Sequence, residues 1–534
     1  MKQSQLLQSP DNIAQQIQRL YQEKRFSDGA ALCHDLLTQD PENPEHLNNL
    51  AVMLNAAGRS KEALKCYQQL LQLAPQNAGV VYNLANTLLN ACRYEEAAGY
   101  YRQALSLDPQ FAAAHNNLGR CYEAQQQPEQ AYRCYQQALV LDPGMPAIHN
   151  NLGNLQKKAS CPEKALRHYQ QALVLQPNYL EALSNCGVVL NALGRYDEAL
   201  RFYRRALALN PEHSATNWNL SLALLQQGNF IEGLTRYESR LHQADTPATP
   251  WLPVRPRWQG KPFNGRLLVY EEQGFGDVIQ FLRFLPLAKA RGGKIYFSVS
   301  SAMLRLCSNV AGVDRLLEHS PHQPLLTGGE FDLMIPLLSL PHLLGVTLTT
   351  LPPFQPYLHS SEDLLQSWQA RLAPAPRRIG LVWAGNPKHP NDSRRSCRLA
   401  DMAPLATVGN TVFYSLQKDA PTNQSSATSV RLPLVDLTGD LDDFAATAAM
   451  IAQLDLVITV DTAVAHLAGA LGRPTWVALP LVAEWRWLLD RSDSPWYPTM
   501  KLFRQTAADD WRTVFARMAA ELNSSPNTAK EAKQ

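Results

Sequence analysis

Two short stretches set acidic, hydroxyl and imidazole side chains at the points where helices begin. The first is Gly274-Phe275-Gly276-Asp277, and the second is Asp461-Thr462-Ala463-Val464-Ala465-His466. Each follows an apolar run of strand length and precedes residues whose apolar side chains recur at helical spacing. A helix that starts just beyond a strand end presents unpaired backbone N–H groups at the positive end of its dipole. The second stretch therefore suits a diphosphate. Thr462 adds a hydroxyl donor, and His466, one turn in, faces the same way. In the first stretch Gly274 and Gly276 let the backbone come close to a ligand, and Asp277 opens the helix. Plainer uses exist for both polar groups: Asp277 as a capping carboxylate, His466 as a structural side chain. Lys418, which ends Ser415-Leu416-Gln417-Lys418 just past a buried strand, is placed to neutralise charge developing on a leaving group, or is simply solvated.

Strands must carry these groups. Runs at 267–270, 295–299 and 332–335 read as one set, with a helix over 278–290. After Pro352, Pro353 and Pro356 a second set follows at 379–383, 412–416, 456–460 and 475–478, with helices between. Strands alternating with helices imply two doubly wound, Rossmann-like α/β lobes, at 266–360 and 361–523. Asp440-Leu441-Asp442 precedes a helix expected over 444–454 and reads as its N-cap and first-turn acid. Trp485, Arg486, Trp487, Trp496 and Tyr497 form an aromatic cluster that walls a cleft or packs the C-terminal crossover. The polar segment 524–534 is expected to be a disordered tail.

The first half has another organisation. Asn49, Asn83, Asn117, Asn151, Asn185 and Asn219 recur every 34 residues, and around the inner ones the same frame of Gly or Ala, Ala, Tyr, Ala and Pro returns; the outer units are degenerate, with Gly29 and Gly233 in the Ala slot and Asp245 where the next Pro would fall. This is the tetratricopeptide repeat, a helix–turn–helix unit that stacks into an all-α solenoid, here about seven repeats over 10–247. The six asparagines share one slot of the first helix. They form either a ladder that holds the backbone of an acceptor peptide in the groove, or a set of inter-repeat ties. Prolines end each second helix. Between the halves, 248–265 is a Pro/Trp-rich strap. Its Trp251 and Trp258 argue for attachment to the second half.

Composition narrows the field. The formal net charge is +2, from 49 basic and 47 acidic residues, which gives no electrostatic footprint for nucleic acid or anionic lipid. The most apolar stretch is broken by Pro336, Pro341 and His342, so no membrane span is expected. The nine cysteines are odd in number and scattered, which fits reduced thiols and a cytoplasmic setting.

The motifs together resemble a known family. Gly276-Asp277, and Asp461-Thr462-Ala463 with His466, look like the Gly-Asp and Asp-Thr-Gly-x-x-His motifs of heptosyltransferase-type glycosyltransferases. Glu272 to Asp277, Gly380-Leu381-Val382-Trp383-Ala384-Gly385-Asn386, Ser415 to Lys418 and Asp493-Ser494-Pro495-Trp496-Tyr497-Pro498 resemble a bacterial family in which tetratricopeptide repeats precede this module. The layout is also similar to protein O-GlcNAc transferases and flagellin glycosyltransferases. The resemblance implies a GT-B fold and transfer of a sugar from a nucleotide-diphosphate donor to a protein hydroxyl recruited by the repeats. It further implies an inverting reaction needing no metal or other cofactor. Asp277 would be the general base. Gly274, Gly276, Asn386, Gln417, Lys418, Asp461, Thr462, Ala463 and His466 would meet the donor, with Arg395 a further candidate. Ala463 stands where the family has glycine. Alternatives are a saccharide or lipopolysaccharide-type acceptor, or a scaffold that only binds nucleotide sugar. Self-association through the repeats is compatible with the array.

Overall fold

The computed structural model describes residues 10–242, 252, 254–320, 330–389, 391–418 and 432–524. The chain divides into two compact units between Asn210 and Pro211. In the first, all regular structure is helical. The pairs are α1 (Pro10–Gln22) with α2 (Phe26–Gln39), α3 (Pro44–Ala56) with α4 (Ser60–Leu73), and α5 (Ala78–Asn90) with α6 (Tyr94–Leu107). They continue as α7 (Ala112–Ala124) with α8 (Pro128–Leu141), α9 (Pro146–Lys158) with α10 (Pro162–Leu175), and α11 (Leu180–Ala192) with α12 (Tyr196–Leu209).

Local sequence explains where these helices start. Asn43 and Asn77 accept hydrogen bonds from backbone N–H groups of the first turns of α3 and α5. Pro44, Pro128, Pro146 and Pro162 occupy first helical positions, where no N–H is required. The helices of a pair approach closely because small residues face tyrosines. A Cβ at Gly119 or Gly153 would lie 2.5 Å from the ring of Tyr135 or Tyr169, and Gly187 stands in the same relation to Tyr203. All three tyrosines are buried.

Three of the slot asparagines, Asn117, Asn151 and Asn185, use their amides to bind the preceding repeat. Nδ2 of Asn117 donates to Tyr82 Oη at 3.1 Å and to Asn86 Oδ1 at 2.8 Å. Asn151 donates to Asn116 Oδ1 at 2.9 Å, and Asn185 to Asn150 and Asn154 Oδ1 at 3.1 and 3.3 Å. Asn154 Oδ1 also accepts from Tyr169 Oη at 2.8 Å. One amide thus joins the packing tyrosine of its own repeat to the asparagine of the next.

The second unit opens with one more helix pair, α13 (Ser214–Gln226) and α14 (Phe230–Tyr237), then a 3-10 turn, Glu238–His242. Two α/β lobes follow. The first sheet has β1 (Arg266–Tyr270), β2 (Lys294–Val299), β3 (Arg315–Glu318) and β4 (Leu333–Pro336) in the order β3-β2-β1-β4. The second has β5 (Arg377–Val382), β6 (Thr411–Ser415), β7 (Leu434–Asp436), β8 (Leu456–Val460), β9 (Thr475–Leu479) and β10 (Met500–Arg504), ordered β10-β9-β8-β5-β6-β7. Every strand pairing is parallel. The helices that matter below are α15 (Phe275–Phe281), α16 (Leu285–Lys289), α17 (Phe444–Ala452), α18 (Ala463–Ala470) and α19 (Trp511–Ser524). In chain order, this is a tetratricopeptide solenoid followed by a GT-B type α/β fold.

Several local expectations need correction. The helix expected over 278–290 is broken: a 3-10 turn, Leu282–Phe284, separates α15 from α16, with Pro286 in the first turn of α16. The cap of α17 is Asp443, whose Oδ1 accepts from Ala446 N at 2.8 Å. Asp440 lies in a 3-10 turn and pairs with Arg371 at 3.2 Å. Ser524, assigned to the tail, closes α19, while 525–534 lie outside the described residues. So do Trp251 and the strap prolines Pro250 and Pro253. Trp258 is buried, with its indole N–H donating to Lys261 O at 2.8 Å.

The largest apolar cluster of this unit spans the helix pair and both sheets. Leu225, Phe230, Leu234 and Tyr237 of α13 and α14 join one apolar cluster with Val269 of β1 and Val477 of β9. Arg283 ties the lobes together. It donates to Trp496 O at 2.8 Å and lies over the Tyr497 ring, 4.7 Å from its centroid.

Candidate active site

Strand order reverses at two places, beside β1 in the first sheet and between β5 and β8 in the second. Ligands of open parallel sheets sit beyond the carboxyl ends of strands at such points. The chain leaving β1 forms Glu271 to Gly274 and enters α15, and the chain leaving β8 passes Asp461 and Thr462 into α18. The two helix starts meet. A Cβ on Gly276 would come within 2.9 Å of His466 Cδ2 and 3.4 Å of Ala463 Cα, so only glycine fits between the lobes here. The close approach expected of Gly276 is thus made to protein atoms of the other motif.

Asp277 has both oxygens engaged. Oδ2 accepts from Gly274 N at 3.1 Å, closing a cap on α15, and Oδ1 pairs with the Arg486 guanidinium of the opposite lobe. Arg486 is buried, pairs also with Glu484 at 2.5 Å and lies 4.5 Å over the Trp485 ring. Burial pushes the Glu484 carboxyl up to about 7, against the pull of Arg486. Asp461 is raised as well, burial outweighing Arg395, Trp487 and Arg486, which favour its charge. Guanidinium groups keep their charge under such conditions, so Arg486 stays cationic beside carboxyls whose charge burial disfavours.

His466 is buried, stacked on Trp487 with ring centroids 5.3 Å apart, and its Nδ1 lies 3.1 Å from Tyr497 Oη. Burial first, then Arg486, Arg283 and Arg395, hold its pKa well below the usual value, so the imidazole is neutral at pH 7. Thr462 Oγ1 lies 3.1 Å from Thr459 Oγ1 and is engaged inside its own strand end. In the first turn of α18, Ala465 N donates to Thr462 O at 3.1 Å, whereas Ala463 N, which has no intrahelical acceptor by helix geometry, lies 3.7 Å from where a Cβ on Gly276 would stand.

The β5 edge is arranged by Gln417. Its buried Oε1 accepts from Trp383 N at 3.1 Å and Ala384 N at 2.8 Å, while Nε2 donates to Lys418 O at 3.1 Å. Gln417 shapes the loop that leaves β5. Lys418 is exposed, its Nζ 3.3 Å from Asp442 O. Asn386 is exposed and uses Oδ1 to accept from Lys388 N at 3.0 Å. Arg395 packs where a Cβ on Gly385 would lie 2.7 Å from its Nη2.

The structure therefore brings Gly276, Asp277, Asp461, Ala463 and His466 together and sets Asn386 and Lys418 at the exposed rim. Glu484 is the group that sequence reasoning missed, together with the pairing of Arg486, which the sequence placed only in an aromatic cluster. The available signal was a charged pair flanking and dividing two tryptophans, Glu484-Trp485-Arg486-Trp487, since a charge among buried aromatics needs a partner.

Known proteins match both halves of the chain. Tetratricopeptide-repeat models match 54–99, 82–146, 144–212 and 190–248. The model of glycosyltransferase family 9 (heptosyltransferase) matches 404–479, which holds Gln417, Lys418 and the whole 461–468 motif. Protein FlbA of Caulobacter vibrioides is 26% identical over 311 residues, covering 54% of this chain and 51% of that protein. The chain thus spans about half the length of that relative. Among solved structures, a thermophilic TPR protein of Thermus thermophilus is 25% identical, covering 34% of this chain and 99% of that one with a TM-score of 0.32. YrrB, a TPR protein, is likewise 25% identical over 34% of this chain and 93% of its own, with a TM-score of 0.27. The chain joins a tetratricopeptide-repeat array to a glycosyltransferase family 9, heptosyltransferase-like module.

Proposed function

We propose that this protein is a cytoplasmic glycosyltransferase that moves a sugar from a nucleotide-diphosphate donor to a hydroxyl of a polypeptide recruited by the repeats. The observation that carries the reading is the meeting of Gly276-Asp277 with Ala463 and His466 at the carboxyl ends of β1 and β8. The α18 N-terminus receives the diphosphate, helped by Arg395 and by Lys418 at the rim. Asp277 takes the proton of the acceptor hydroxyl as the oxygen attacks the anomeric carbon from the face opposite the nucleotide. That geometry inverts the anomeric centre and calls for no metal. The neutral imidazole of His466 contacts the donor. The asparagine amides act first as inter-repeat ties, and hold acceptor backbone with the capacity those ties leave.

The test is turnover. The full chain is incubated with a panel of uridine, guanosine, cytidine and thymidine diphosphate sugars, and nucleotide release and sugar transfer to host proteins are followed. At least one donor should turn over with EDTA present, and the product should have the anomeric configuration opposite to the donor's. Retention of configuration, or absolute dependence on an added divalent ion, would refute the mechanism.

A binding-only module is favoured by one observation, the engagement of both Asp277 oxygens. Tight nucleoside diphosphate binding with no transfer from any donor would select that reading.

A further inference from the structure

The helix pair α13–α14 belongs to the same compact unit as both lobes and touches each chain segment that delivers a partner of the Asp277–Arg486 pair. On one side Tyr237, the last residue of α14, donates its buried hydroxyl to Gln273 Oε1 at 3.0 Å. Arg240, buried in the following 3-10 turn, grips the Glu272 carboxylate with two nitrogens, Nε at 3.1 Å and Nη2 at 2.5 Å. It also donates to Glu238 at 2.7 Å and to Ser339 Oγ at 2.8 Å. On the other side Gln226 donates to Ala483 O at 2.8 Å, and the Phe230 ring stacks on Trp496 at 5.5 Å. Tyr237 meets the edge of Trp485, the residue that carries Arg486 on its face.

The loop held in this way is under tension. Gln273 sits at φ 61°, a left-handed conformation that a non-glycine residue adopts at a cost of about 1–3 kcal/mol. Such a residue keeps its place only when its surroundings hold it. Here the Tyr237 hydroxyl holds the Gln273 side chain, and Arg240 holds its neighbour. The next residue, Gly274, supplies the N–H that fixes Asp277 Oδ2. Two hydrogen bonds, joined by the Gln273–Gly274 peptide link, therefore lead from the last repeat helix to the carboxylate.

We infer that Tyr237 and Arg240 are positioning residues for Asp277: the last helix pair of the repeat array forms part of the catalytic frame. Its kinetic consequence rests on the transferase reading; its structural content does not.

The experiment compares the full chain with its Tyr237→Phe and Arg240→Lys variants in two measurements. The first is hydrogen–deuterium exchange of the backbone amides from 272 to 278, with β5 and β8 as internal references. Both variants should exchange faster in that loop while the strands stay protected. The second is turnover of whichever donor sugar the wild-type chain hydrolyses or transfers. Tyr237→Phe should lower kcat about 10–100-fold, the scale expected for a slightly misplaced catalytic group, and leave the donor KM within about twofold. Unchanged loop exchange in both variants overturns the inference whatever the kinetics. Faster exchange with unchanged kcat in an active wild type overturns it too. If the wild type turns over no donor, the transferase reading falls, and the exchange result alone decides whether the repeat pair braces the loop.

Discussion

The repeat array and the cleft differ in where they leave buried polar groups unpaired: His46 Nδ1, Gln125 Nε2 and Asn191 Oδ1 are scattered along the array, whereas a cluster gathers beside Asp277 and Arg486. In the array, amides and phenols are used up on one another: Asn154 takes Tyr169 and Asn185, and Asn86 takes Tyr101 and Asn117. Around the cleft, buried donors stand without hydrogen-bond partners, namely the Trp383 and Trp485 indoles and the Nε groups of Arg395 and Arg486. Gln280, on the helix that carries Asp277, has neither side-chain atom paired. A structural network closes on itself because an unmet buried donor costs free energy, whereas a site tolerates that cost where a ligand completes it.

The comparison can be pressed hardest at Asp277. Asp277→Asn keeps an oxygen for the Gly274 cap and removes the charge. Turnover should fall by about 10²–10⁴-fold, with a smaller stability loss than removing Arg486 brings, since Arg486 keeps its contact with Glu484. Turnover within a few-fold of wild type would remove Asp277 from the chemistry. Next comes Arg486→Leu, which leaves Asp277 and Glu484 without their shared cation. Denaturant melts should show a loss of about 3–5 kcal/mol, the range for breaking a buried ion pair from one side.

In the array the effects should be smaller. Asn154→Ala strands the Tyr169 hydroxyl and should cost about 1–3 kcal/mol. Activity on a free donor sugar should hold, so a loss there greater than the stability loss explains would break the contrast between the regions. The smallest effect concerns Glu484, whose side chain is 32% open to solvent. Burial raises its pKa in the folded state to about 7, so its stabilising contribution is complete below about 4.5 and fades as pH rises through 7. Melts of Glu484→Gln should lack that part of the decline seen in the wild type between pH 5 and 8. Parallel curves would show that the carboxyl titrates alike in both states.

What could be read from the chain follows the same division. The repeat frame was fully legible, because a tyrosine over a glycine and a proline after a helix recur in register and each has one physical meaning. Strands β1, β5 and β8 were legible as apolar runs, being covered on both faces. Strands β3, β7 and β10 went unread. All three lie at sheet edges, and in β3 and β7 half or more of the residues meet solvent, so no apolar run marks them. The motif aspartates and His466 were found at strand-to-helix junctions and through the resemblance to heptosyltransferase-type motifs. Arg486 was legible only as a member of the aromatic cluster; its pairing was not, since its partner Asp277 lies 209 positions away and pairing at that range leaves no local pattern.

The clearance between Gly276 and His466 carries a lesson about ancestry. Position 276 cannot grow alone: a methyl group there runs into the imidazole 2.9 Å away unless residue 466 becomes smaller or its helix retreats. Descendants of this chain should therefore gain a side chain at 276 only after 466 has shrunk, however freely the loops between them drift.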